Sequence, residues 1–96
     1  MSALTPLQSY VVNVVADDYE NYELISKEVL DWAAEDRTAA SPDAVRDALG
    51  TVVRDGLVDC YRFSAGNYER VEFGASRLEE LWFRISSKGK AYLGKN

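Results

Sequence analysis

The chain contains no histidine, one cysteine, two prolines and one methionine in 96 residues. Each scarcity excludes something. Without histidine, the commonest general base and the commonest metal ligand are both missing. With Cys60 as the lone thiol, a zinc site would have to be built from carboxylates alone. A single cysteine also forms no internal disulfide, which points to a reducing compartment. No apolar run approaches the roughly 18 residues that a membrane span requires. The opening residues, Met1-Ser2-Ala3-Leu4-Thr5-Pro6, lack the basic and apolar regions of a signal peptide. The expectation is a cytoplasmic protein with no membrane partner. No phosphate-binding glycine loop, nucleophile elbow or metal-ligand spacing is present. The adjacent carboxylates Asp17-Asp18 and Glu79-Glu80 read as solvent-facing. The sequence is that of a non-enzyme without a cofactor.

Positive charge is also scarce, and it is unevenly placed. The net charge is −5. Residues 1–36 carry eight acids against Lys27 alone, whereas residues 37–96 carry ten bases and eight acids. Such a split either presents one face to an anionic partner or leaves the acidic half as solvated surface.

What is present is organised around residues 41–63. Ser41 is suited to cap a helix, and Pro42 to occupy its first position, where no N–H is needed. Val45, Ala48, Leu49, Val52 and Val53 recur at helical spacing on one face. Gly56 is placed to end the helix in a left-handed conformation. From Leu57 the period becomes two, so Leu57, Asp59, Tyr61 and Phe63 share one side of a strand and Val58, Cys60 and Arg62 the other.

Elsewhere the same logic predicts a helix capped by Thr5, with Gln8 completing a capping box and Leu7, Tyr10, Val11, Val14 and Val15 forming its apolar stripe. Val12 falls off that stripe. It is either an isolated exposed residue or part of a self-association face that, with Tyr92, would make a homodimer. Asp17–Tyr22 reads as a loop with a very short edge strand near Tyr19–Tyr22. A second helix follows from about Glu23 to Asp36, with Ile25, Val29, Trp32 and Ala33 on one face. Trp32 is expected as a core anchor. Gly66-Asn67 and Gly74-Ala75-Ser76 are turn signals around a short or irregular strand, Tyr68–Phe73. Leu81–Ser86 alternates Leu81, Phe83 and Ile85 inward against Trp82, Arg84 and Ser86 outward, and is expected to form a hairpin with the strand at 57–63. Ser87 is expected to cap a last short helix, with Tyr92 and Leu93 as its core contacts. The predicted class is α+β, a single domain over residues 1–96.

The order helix, short strand, helix, helix, strand, wing, strand resembles the winged-helix domain. That is a three-helix bundle with a small antiparallel sheet, whose β-hairpin forms the wing, here followed by a short C-terminal helix. Two stretches carry the likeness. Residues 45–58, from Val45-Arg46-Asp47-Ala48-Leu49 to Asp55-Gly56-Leu57-Val58, resemble its recognition helix and exit strand. Residues 82–93, from Trp82-Phe83-Arg84-Ile85 to Ala91-Tyr92-Leu93, resemble the closing strand and helix of bacterial regulators of the multiple-antibiotic-resistance and phenolic-acid-repressor types. The resemblance implies double-stranded DNA as partner, with the third helix in the major groove and the wing on the backbone.

On the residues here, the contact set would be Asp43, Arg46, Asp47, Gly50, Thr51 and Arg54 on the helix and Arg70 and Arg77 on a wing running from Ser64 to Glu80. Arg46 and Arg54 suit guanine edges or phosphates. Asp43, Asp47 and the wing's glutamates repel the same phosphates. DNA binding is therefore the leading expectation. A winged helix that docks another protein is the alternative, and a small-molecule sensor a distant third. Gly50 costs the helix about 1 kcal/mol; it marks either a close approach by a phosphate or partner backbone, or simple tolerance.

Overall fold

The computed structural model describes residues 4–74 and 77–94. Among the described residues it is an α+β domain of four helices and one antiparallel sheet: α1 (Pro6–Val14), β1 (Glu20–Asn21), α2 (Tyr22–Glu35), α3 (Pro42–Arg54), β2 (Val58–Ser64), β3 (Asn67–Arg70), β4 (Leu81–Ile85) and α4 (Ser87–Tyr92), with a 3-10 turn at Leu78–Glu80. The helices begin where local chemistry says they should. Thr5 and Gln8 form the reciprocal capping box of α1, Asn21 caps α2, and Ser41 caps α3 with Pro42 in its first turn. Gly56 ends α3 at φ 80. The last cap is Ser86 rather than Ser87: its hydroxyl accepts the Gly89 N–H at 3.0 Å and donates to the Gly56 carbonyl at 2.5 Å.

The sheet order is β1-β4-β2-β3, so β4 lies between the edge strand β1 and β2. Its helix-facing side is apolar. Val58 and Cys60 of β2 and Leu81, Phe83 and Ile85 of β4 are buried against Val11, Val15, Ile25, Val29, Val45, Leu49 and Val52. Leu57 is buried as well, from the turn that precedes β2. Among the described residues no helix is long and apolar enough to cross a membrane.

Three expectations need correction. Val12 is fully buried rather than exposed, so it cannot form a self-association face. The bundle covers α1 from two sides, by α2 and by α3, so its buried arc is wider than one stripe. Tyr92, expected in the core, is 39% exposed, and its hydroxyl accepts the Leu4 N–H at 3.2 Å. Trp32, expected as a core anchor, is half-buried outside the main cluster and packs edge-on against Tyr10 at 5.7 Å.

The hairpin also differs. β2 pairs with β4 as expected, Cys60 opposite Phe83, but its other edge pairs with β3, Phe63 opposite Tyr68. The turn between them is Ala65-Gly66 rather than Gly66-Asn67, with φ 52 and 81. Positive φ at both central residues is what a two-residue hairpin turn of matching twist requires. β2 and β3 thus form a tight hairpin, after which the chain crosses back to β4. Of the Gly74-Ala75-Ser76 turn signal, Ala75 and Ser76 lie outside the described residues.

Candidate functional site

The apolar face of α3 is consumed by the core, which leaves Arg46, Asp47, Gly50, Thr51 and Arg54 on its outer side. After β3, the chain leaves the sheet with the Val71 N–H donating to the Cys60 carbonyl at 3.0 Å. Residues 70–73 then run beside α3. An open groove forms between the two, lined by Arg46, Asp47, Gly50, Thr51 and Arg54 on the helix and by Asp59, Arg70, Val71, Glu72 and Phe73 opposite. Val53, Val58 and Cys60 contribute apolar lining. Six of the eight contact residues expected from sequence therefore converge. Asp43, at the helix N-terminus, and Arg77, beyond the crossing segment, do not line the groove.

The electrostatics of this surface are mixed. Arg46 pairs with Asp43 at 3.4 Å, and Arg70 with Asp59 at 3.1 Å. Arg77 pairs with Glu79 at 2.6 Å, and that guanidinium holds the Glu79 carboxyl below its ordinary range. Arg62 of β2 pairs with Glu69 of β3 at 3.2 Å. Except for the half-buried Asp59, the paired side chains are exposed, and such pairs contribute little to stability. What they do change is the field, because each neutralises a cation where a polyanion would need it. Arg54 differs: its guanidinium donates to the Thr51 hydroxyl at 3.5 Å and pairs with no carboxylate among the described residues. Arg46 and Arg54 stand with Asp47 and Glu72 along the groove, and the paired Arg70 and Asp59, whose strand positions belong to the outer side of the sheet, reach its rim, so the formal charge of the lining is zero.

Gly50 receives a physical account. A Cβ built there would stand 3.5 Å from Phe73 Cε2. The ring lies over the middle of the helix ridge and also contacts Phe83 of the core, with centroids 6.1 Å apart. The close neighbour at Gly50 is thus a side chain of the same protein. Cys60 is buried, and burial pushes its thiol up to about 11, which makes it a poor nucleophile at neutral pH. Among the described residues no three of His, Cys, Asp and Glu converge as a metal would need.

Sequence reasoning missed Asp59, Val71 and Phe73 and took Glu72 only as a repelling charge, because no local pattern shows that the segment after β3 lies against α3. It also missed an aromatic cluster on the other side of the sheet, although a signal existed. Tyr61, Phe63 and Trp82 occupy the strand parity that the core does not use.

Compared with known proteins, the chain matches no family model, and no curated protein matches it.

Proposed function

We propose that the protein is a winged-helix module that docks a segment of another protein in the groove between α3 and residues 70–73. The winged-helix reading is supported by the order of the elements and by β4 lying between β1 and β2. The docking reading is carried by one observation: the groove balances Arg46 and Arg54 against Asp47 and Glu72 around an apolar lining. Duplex DNA is bound chiefly by releasing counterions, which needs uncompensated cations on one face. A polypeptide has separated charges of both signs and apolar side chains, and it matches a groove of this kind.

A second reading, duplex DNA, is favoured by Arg54, which has no carboxylate partner among the described residues and sits on the outer side of α3. The test is a salt titration with mixed-sequence duplex. The docking reading expects no saturable binding at low salt, where surface electrostatics are least screened. Binding with a log–log salt slope of about −2 to −4, at about −0.9 per phosphate, that shrinks in Arg46→Ala/Arg54→Ala would overturn it in favour of DNA.

A further inference from the structure

The side of the sheet turned away from the helices carries a second surface. Tyr61 and Phe63 of β2, Tyr68 of β3, Trp82 of β4, and Tyr19 from the loop before β1 form one aromatic cluster. Tyr19 stacks flat on Tyr68, with centroids 3.7 Å apart and planes 2° from parallel. Tyr61 meets Tyr19 edge-on at 5.0 Å, and Trp82 meets Tyr68 edge-on at 5.8 Å. Phe63 packs against Tyr68 at 5.0 Å, and the Arg84 guanidinium stands 5.0 Å from the Tyr19 ring centre. The rings therefore hold one another in place, so little side-chain entropy remains to be lost on binding. Two of them are open to solvent, Phe63 at 51% and Tyr68 at 36% exposed, and Tyr19, Tyr61 and Trp82 are half-buried around them.

The surroundings of this face are acidic. Tyr19 lies between Asp18 and Glu20, and Asp17 precedes them. Glu20 pairs with Phe83 and so turns to the helix side, which leaves Asp17 and Asp18, both exposed and in no ion pair among the described residues, at the border of the face. The cations on the face are already engaged, Arg70 with Asp59 and Arg84 over Tyr19. An aromatic platform bordered by uncompensated carboxylates complements a chain that is cationic and apolar together. Lysine or arginine is drawn to ring faces and to the carboxylates, while apolar side chains cover the exposed rings.

We propose that the outer face of the sheet, centred on Phe63, Tyr68 and Trp82 and bordered by Asp17 and Asp18, docks a short basic segment of a partner protein. Single-stranded nucleic acid also stacks on aromatic platforms, but its phosphates would meet the same carboxylates.

The experiment selects a random nonapeptide library, displayed on phage, on the intact protein. Recovered peptides are then measured by fluorescence anisotropy, with a labelled oligothymidine in parallel. The expected result is enrichment of peptides with net positive charge. Their affinity should fall at least tenfold in Phe63→Ser/Tyr68→Ser and several-fold in Asp17→Asn/Asp18→Asn, both variants retaining the native circular dichroism spectrum. The second variant changes only exposed loop carboxylates, so it reads out recognition even where the first loses stability. Failure to enrich any peptide overturns the proposal, as does enrichment of neutral or acidic peptides. Oligothymidine binding that exceeds peptide binding replaces it with the nucleic-acid reading. Peptides that survive Phe63→Ser/Tyr68→Ser but are lost in Arg46→Ala/Arg54→Ala belong to the α3 groove, and they refute the assignment of this face while leaving the groove reading intact.

Discussion

Gly89→Ala should destabilise the protein, against the ordinary rule for glycine in a helix. Alanine in a helix interior is favoured over glycine by about 1 kcal/mol. Here the added methyl would overlap the Leu57 carbonyl oxygen and stand 2.7 Å from Ile85 Cγ1. The first obstacle is backbone, which cannot rotate away as a flexible side chain can. α4 would have to retreat by about an ångström to restore ordinary contact distances. That retreat stretches the Ser86 N–H to Leu57 carbonyl bond at 3.0 Å and the Ser86 hydroxyl to Gly56 carbonyl bond at 2.5 Å. Overpacking costs about 1–3 kcal/mol, and each weakened hydrogen bond about 0.5–1.5 kcal/mol. After the helix-propensity gain, the net loss is about 1–5 kcal/mol, centred near about 3 kcal/mol. In a domain of this size each kcal/mol moves Tm by about 4–8 °C, so the central value corresponds to a fall in Tm of about 12–24 °C. Thermal melts followed by circular dichroism measure it, with urea titrations for the free energy. A Tm unchanged or raised would refute the seating of α4 on the exit of α3.

The same reasoning predicts the opposite sign for Gly50→Ala, where the new methyl meets only the Phe73 ring at an ordinary 3.5 Å. It should stabilise by up to about 1 kcal/mol in the same melts. Leu49→Ala, at a fully buried site, should cost about 2–5 kcal/mol in urea denaturation, and an unaltered midpoint would contradict the packing of α3. Ala65→Asn should stabilise by up to about 1 kcal/mol, since a non-glycine residue at φ 52 in this turn is best served by asparagine. Stability should also fall as pH rises from about 9 to about 11. Through that window the unfolded chain releases the Cys60 proton from its ordinary value of 9.0, while the folded thiol keeps it until about 11. Cys60→Ala should flatten that part of the pH profile, and an identical profile in the variant would remove Cys60 as its cause.

Most helix starts and stops, though not the Ser86 cap or the Ala65-Gly66 turn, were legible in the sequence, because those signals are local. The Thr5–Gln8 box, the Ser41-Pro42 start, the Gly56 stop and the two-residue alternation of Leu81–Ile85 each depend on neighbours a few positions away. The α+β class and the solvent-facing ridge of α3 follow from the same patterns. What the tertiary structure decided depends on partners distant along the chain. Val12 is off one stripe, yet α2 and α3 together bury it. Trp32 has the chemistry of a core residue, but its place on α2 puts it beside Tyr10, outside the main cluster. Arg46 and Arg70 read as free cations until Asp43 and Asp59 stand beside them. Asp43 lies one helical turn from Arg46, within reach of local reasoning. Asp59 meets Arg70 only because β3 folds back on β2. The path from β3 to β4, which seats Phe73 over Gly50 and closes the groove, and the gathering of Tyr19 with Tyr68, are contacts between residues far apart in the chain. Periodicity reports which face a residue occupies, but not what the rest of the chain brings to that face.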